Sequence, residues 1–371
     1  MKVLINLIQT IACTVETYEL AKGLVSNGVE VSLILSDHIE NKNDWLESKD
    51  LFSKIYFVDT HISKKDFLSK TIKFIVSGRR KIKKFFKGES FDFLINTMGN
   101  YWDPFIPSLI RAKEIVTYIH DPIPHSGTKW WIKLIRNKRY KQADQIIVHT
   151  KSFIPIVHQL YGFPVNKIHF VPHGRLQRYN AVRKNNQIVD SFYVGRTNFI
   201  FFGYIQKYKG LHVLSSAYSI IYKKHKNVTL TIAGNGDFSD YKNEFDALEN
   251  VRVINRRILD EEIGDLFSVP NGVSVLPYID ATQSGVIVTA MEFLTPILAT
   301  DTGGLKEQLD DGKIGLMCKP NDPIAFANLM DKIIENTDEF AKQKQLMEEY
   351  LPSLNSDKIA KLLLEEITNE N

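Results

Sequence analysis

Residues 2–36 read KVLINLIQTIACTVETYELAKGLVSNGVEVSLILS. An apolar run opens the stretch. Leu20, Ala21, Leu24 and Val25 then recur at helical spacing, Asn27-Gly28 supplies a helix stop, and a second apolar run follows. This order is a β-α-β unit, and short apolar strands separated by helices predict a parallel sheet. Working outward, "KIYFVD", "FDFLIN", "EIVTYIHD", "QIIVHT" and "KIHFVPHG" read as further strands of the same series. Between Arg178 and Arg196 the periodicity disappears, which predicts a linker. A second series follows: strands "NFIFFGYI", "VTLTIAG", "VRVIN", "GVSVLPY", "PILATD" and "GLMCK", with helices "GLHVLSSAYSIIYKKH", "DEEIGDLFSV" and "DPIAFANLMDKIIEN".

The fold class is therefore α/β, as two Rossmann-like, doubly wound parallel-sheet domains facing a cleft. A chain of 371 residues favours two domains, since single cores stop growing at roughly 250–300 residues. The reading places a first domain at 1–180, a linker at 181–197, a second domain at 198–355, and a C-terminal helix at 356–371 packing back toward the first domain. Such domains bind ligands at the carboxyl ends of their strands. Cys13 and Cys318 show no metal spacing, which fits a reducing, cytoplasmic compartment. The start "MKVLINLIQTIACT" is interrupted by Asn6, Gln9 and Thr10 and reads as a buried strand, not a signal peptide. No run approaches the ~18–20 apolar residues of a membrane span.

Four loops of the second half directly follow predicted strands. "FGYIQKYKGL" offers Gly203 for close backbone approach and Lys207 and Lys209 as cations. "AGNGD" is a glycine turn, and "TDTGGLKE" adds another together with Glu307. "IDATQSGVI" puts Ser284 and Gly285 at a helix N-terminus, where free N–H groups and the helix dipole favour a phosphate.

The order of these motifs resembles the group-1 glycosyltransferases, the retaining family 4 with a GT-B fold. The matching residues are Gly203, Lys209-Gly210, Gly234-Asn235-Gly236, Pro277, Ser284-Gly285, Ala290-Met291, Pro296 and Gly303-Gly304 through Glu307. The likeness is good over about residues 200–335. It is looser in the first half, through "LAKGLVSNGVEV", "HDPIPH" and "PHG". It implies a nucleotide-diphosphate sugar as donor substrate, with no metal and no other cofactor. Lys209 and the Ser284-Gly285-Val286 backbone would hold the diphosphate, and Arg257 and Ile258 would lie along the nucleobase. The family often carries two glutamates eight positions apart in the loop and helix after "LPY". Here those positions are Ala281 and Thr289, and Tyr204 stands where many members carry arginine. A subset of bacterial polysaccharide enzymes resembles this chain in that respect. Sugar hydroxyls would then fall to Asp280, Thr282 and Gln283.

In "TYIHDPIPHSG" the resemblance puts His120 near the transferred sugar, with Asp121 orienting it or meeting the acceptor. His173 in "VPHG" is equally a hinge-packing residue or a ligand contact. Retaining transfer would proceed by front-face attack, the leaving phosphate accepting the acceptor's proton. Positive charge and N–H donors at the phosphate would stabilise departure.

Residues 1–185 carry 29 Lys and Arg against 16 Asp and Glu, a net of +13, whereas the remainder carries 18 against 27, a net of −9. Much of the excess sits in residues 63–88, with ten cations and one Asp, and in "KWWIKLIRNKRYK" around Trp130 and Trp131. Basic stretches with aromatic residues suit an anionic membrane surface. They suit nucleic acid too, but lipid-linked acceptors favour the membrane, so no nucleic-acid partner is expected. The leading expectation is a glycosyltransferase, peripheral at the inner face of the cell membrane, using a lipid-linked or saccharide acceptor in cell-surface polysaccharide synthesis. Two alternatives stay open: a catalytically inactive partner subunit of another transferase, and a sugar-nucleotide epimerase. A homo- or hetero-oligomer is compatible with each.

Overall fold

A computed structural model describes residues 1–123, 130–182 and 190–368. Part of the expected linker (183–189), Lys129 of the second basic segment and the last three residues lie outside them. The described residues divide into two compact units, Met1–Gly174 with Leu354–Asn371, and Arg175–Ser353.

The first unit is a seven-stranded parallel sheet in the order β3-β2-β1-β4-β5-β6-β7. Its strands are β1 (Lys2–Leu7), β2 (Glu30–Ser36), β3 (Lys54–Val58), β4 (Phe91–Asn96), β5 (Ala112–Tyr118), β6 (Gln145–Val148) and β7 (Ile168–Phe170). β1 lies inside the sheet between β2 and β4, and Val3, Leu4, Ile5 and Leu7 have no exposed surface. Helices cover both faces of such a sheet, which is why its strands read as near-continuous apolar runs and not as alternating ones. One face packs Leu4, Ile34 and Leu94 with Phe74, Ile82 and Trp102. The Phe74 and Trp102 rings stack at 4.6 Å. The C-terminal helix Ser356–Thr368 packs on helix Thr14–Ser26 of this unit. Asn27 donates to the Asp357 carbonyl (2.8 Å) and Gln145 to the Ile367 carbonyl (3.0 Å).

The second unit is a six-stranded parallel sheet in the order β10-β9-β8-β11-β12-β13. Its strands are β8 (Thr197–Phe202), β9 (Val228–Ala233), β10 (Val251–Ile254), β11 (Gly272–Leu276), β12 (Ile297–Thr300) and β13 (Leu316–Cys318). The doubly wound class expected from the sequence is what both units adopt.

The division falls at Gly174/Arg175, six residues before the expected end of the first domain. Side chains explain the difference. Arg175 forks onto the buried Glu292 carboxylate through Nε (2.9 Å) and Nη2 (3.0 Å), and Asn180 donates to the same carboxylate at 2.9 Å. The far end of the expected linker is also packed into the second unit. Tyr193 is buried with its hydroxyl 3.1 Å from Thr231 Oγ1, and its carbonyl accepts from Asn198 Nδ2 at 3.0 Å.

Candidate active site

In the second unit the site is built by loops at the carboxyl ends of parallel strands, as β-α-β topology dictates. Three backbone bonds tie the loops together. Ile205 N–H donates to Asn235 O (2.8 Å), Ile279 N–H to Tyr208 O (2.8 Å) and Gly304 N–H to Thr282 O (3.0 Å). Two glycines are obligatory for this packing. Gly210 has φ +71, and a Cβ there would lie 1.9 Å from the Pro277 carbonyl oxygen. Gly303 has φ +54, and its Cβ would lie 1.5 Å from the Ala281 oxygen. Both contacts are impossible for any side chain, and both backbones are left-handed.

The structure thus brings together Gly203, Lys209, the 280–286 loop and the turn leading to Glu307. Lys209 is buried, with Nζ 3.8 Å from the Tyr278 ring centroid. Ser284 caps the helix Gly285–Glu292, its Oγ accepting from Val286 N–H at 3.3 Å. Its own N–H donates to Gln308 Oε1 at 2.7 Å. Two of the three N–H groups expected to cradle the diphosphate are therefore bonded within the chain. The third differs: Gly285 is exposed, its N–H makes no hydrogen bond to any described residue, and an added Cβ would have no atom within 4 Å. Asp280 is exposed, while Thr282, Gln283 and Glu307 are half-buried. Lys207 points to the exposed surface. Arg257 and Ile258 follow β10, two strands from β8 at the sheet edge, and Ile258 is buried. Ala281 is buried, and Thr289 is buried with its hydroxyl donating to the Gly285 carbonyl at 2.9 Å. The acidic side chain of that helix is instead Glu292, which Arg175 and Asn180 occupy.

In the first unit, three adjacent strands each run into a histidine: β5 into His120, β6 into His149 and β7 into His173. Glu16, in the first turn of helix Thr14–Ser26, faces them. Its Oε1 lies 3.0 Å from His173 Nδ1 and 3.2 Å from His149 Nε2. The His149 and His173 rings stack at 3.8 Å, and His120 is 4.9 Å from His149. Burial opposes ionisation of Glu16, but the imidazoles overcome it and hold the carboxyl well below the usual range. Burial pushes the His120 imidazole below its ordinary value, with Glu16 pulling the other way. Burial likewise raises the nearby Cys13 thiol, so it is no thiolate nucleophile at neutral pH. His120 Nε2 donates to the Thr97 carbonyl at 2.7 Å. Asp121, beside it, is half-buried.

A cavity of about 450 Å³ adjoins this cluster, lined among others by Gln9, Tyr101, His120, Asp121, Arg136 and Arg139. Arg139 is a correction to the reading of residues 129–141 as a surface cation run. It is buried, with Nε 3.3 Å from Asp103 and Nη2 donating to Asn96 O at 3.1 Å. Glu16 and His149 were missed from sequence. The signal was present in "QIIVHT" and "VPHG", strands ending in histidine, but only the sheet order shows them converging.

Comparison with known proteins matches the description "Glycosyltransferase Family 4" over residues 15–175 and "Glycosyl transferases group 1" over residues 183–350. The D-inositol 3-phosphate glycosyltransferase of Paenarthrobacter aurescens is 23% identical over 238 residues, 60% of this chain and 54% of that protein. The O-antigen chain mannosyltransferase C of Escherichia coli is 23% identical over 232 residues, 61% of this chain and 60% of its own length. The chain spans about half the length of the first curated relatives it matches. Among solved structures, HepE of Anabaena, in complex with UDP, has a TM-score of 0.70 at 15% identity, covering 99% of this chain and 100% of its own. The likeness shows a shared GT-B fold.

Proposed function

We propose, for a chain composed of a Glycosyltransferase Family 4 domain followed by a glycosyl transferases group 1 domain, the activity of a retaining glycosyltransferase. It moves a sugar from a nucleotide-diphosphate donor to a lipid-linked or saccharide acceptor in bacterial cell-surface polysaccharide synthesis. The observation that carries this reading is the knitted loop cluster of the second unit, where buried Lys209 and the open Gly285 N–H stand at strand ends. A helix N-terminus and a partly desolvated ammonium together suit a diphosphate. With Ser284 and Val286 N–H groups engaged, Gly285 and Lys209 carry most of the phosphate recognition in this proposal. They also stabilise charge as the diphosphate leaves. His120 and Asp121 serve the sugar or the acceptor, and transfer needs no metal at the phosphate.

The absence of carboxylates at Ala281 and Thr289 supports a second reading, a transferase-like subunit without activity of its own. A thermal-shift screen of nucleotide sugars, with release of nucleoside diphosphate measured on every hit, separates the two. A donor that raises the melting temperature and is turned over supports the enzyme. A donor bound but never consumed, even with membrane lipid supplied, supports the inactive subunit.

A further inference from the structure

We propose that Glu16, His120, His149 and His173 form a binding site for a divalent transition-metal ion, zinc being the fitting one. One carboxylate oxygen and one ring nitrogen of each histidine lie within 4.8 Å of one another. His149 decides the argument. Its Nδ1 lies 2.8 Å from the Val171 carbonyl oxygen. A carbonyl only accepts, so Nδ1 carries the proton and the neutral ring presents a bare lone pair at Nε2. That atom is buried, in a side chain 3% exposed, and has no hydrogen-bond partner among the described residues. Glu16 Oε1 faces it at 3.2 Å, lone pair toward lone pair. Two electron-rich atoms so close, the histidine nitrogen buried and the Glu16 carboxylate half-buried, call for a positive group between them.

His120 gives its Nε2–H to the Thr97 carbonyl, which leaves Nδ1 as the acceptor of the neutral ring. A ring N–H spent on a backbone carbonyl is how metal-ligating histidines are oriented. The separations of Glu16 Oε1 from His149 Nε2 (3.2 Å) and His173 Nδ1 (3.0 Å) lie near the ~3.3 Å edge of a tetrahedron with ~2.0–2.1 Å bonds. The stacked His149 and His173 rings must fan slightly for both nitrogens to reach one ion. Three imidazoles and a carboxylate suit zinc. The less buried group His225, Asp331 and Glu335 offers a contrast, because Lys224 already pairs with both carboxylates there. A metal at this cluster would clamp the ends of β5, β6 and β7 to helix Thr14–Ser26 and engage both ring nitrogens of His120, which would then serve the sugar or acceptor by positioning its neighbour Asp121 and not by direct contact.

The test uses the full chain, stripped by chelator and desalted, then titrated with Zn²⁺ by calorimetry and with Co²⁺ by visible absorption. The expected result is one Zn²⁺ per chain and the intense d–d bands of a tetrahedral Co²⁺ site. Glu16→Gln and His149→Phe should each weaken binding by at least about tenfold, with unchanged far-ultraviolet circular dichroism. Absence of stoichiometric binding, binding that survives both substitutions, or only the weak spectrum of solvated Co²⁺ overturns the proposal. The charge between Glu16 and His149 is then a proton. Should a variant fail to fold, the wild-type Co²⁺ spectrum decides alone. No donor or acceptor enters the measurement, so its failure and failure of the transferase reading are distinguishable.

Discussion

Lys209→Met separates the observed contact of this side chain with Tyr278 from the phosphate role proposed for it. Lys209 is 8% exposed and holds Nζ 3.8 Å from the Tyr278 ring centroid, so the ammonium is partly desolvated and stabilised by the ring face. Methionine keeps much of the apolar length and removes the charge. Loss of the ring interaction should cost up to about 2 kcal/mol of folding stability. Loss of a charge-assisted bond to a donor diphosphate should cost about 1.5–3 kcal/mol of binding, roughly a 10- to 150-fold rise in Kd. Calorimetric titration of wild type and variant with the best nucleotide sugar reads the second quantity, and urea unfolding without ligand reads the first. A Kd within about threefold of wild type, with stability reduced, would refute the phosphate role and leave Lys209 as a packing partner of Tyr278.

His120→Ala should lower turnover with little change in nucleotide affinity, and a wild-type transfer rate would remove His120 from the chemistry. Burial pushes the Asp103 carboxyl up to about 6, against the pull of Arg139. Its folded value thus exceeds the unfolded value of roughly 4, so its contribution to stability is full below that pH and is lost as pH rises through about 6. Asp103→Asn should flatten that slope in urea unfolding across the same window, and an unchanged slope contradicts the assignment. The protein should float with anionic vesicles at low salt and detach as salt rises, since each cation near the surface contributes about 1 kcal/mol. Exposed Leu68, Ile72 and Val76 lie among the lysines of residues 63–88, and Trp130 is 73% exposed, so Trp130→Ala should weaken the residual binding. Equal, negligible flotation with anionic and neutral vesicles would sink the membrane reading.

The sheets were legible because parallel strands buried on both faces leave unbroken apolar runs such as "FDFLIN", which coincides with β4. The glycine loops were legible too, since Gly210 and Gly303 are imposed by contacts no other residue tolerates. What escaped depended on partners distant in sequence. Gln308 takes the Ser284 N–H from 24 residues away, which no local pattern at the helix start reveals. Arg175 joins the second unit through Glu292, 117 residues on, so the loss of periodicity after Arg178 marked the boundary too late. The convergence of His120, His149 and His173 depends on strand adjacency, and Arg139 looked like one more surface cation until Asp103 was placed beside it. No helix among the described residues is long and apolar enough to cross a membrane.

The most direct test follows the anomeric proton by NMR while the full chain turns over its best nucleotide sugar with membrane lipid extract. Retaining transfer predicts release of nucleoside diphosphate together with a sugar product of the donor's own anomeric configuration. Inversion at that carbon would contradict the account, as would an epimerised sugar formed without any acceptor.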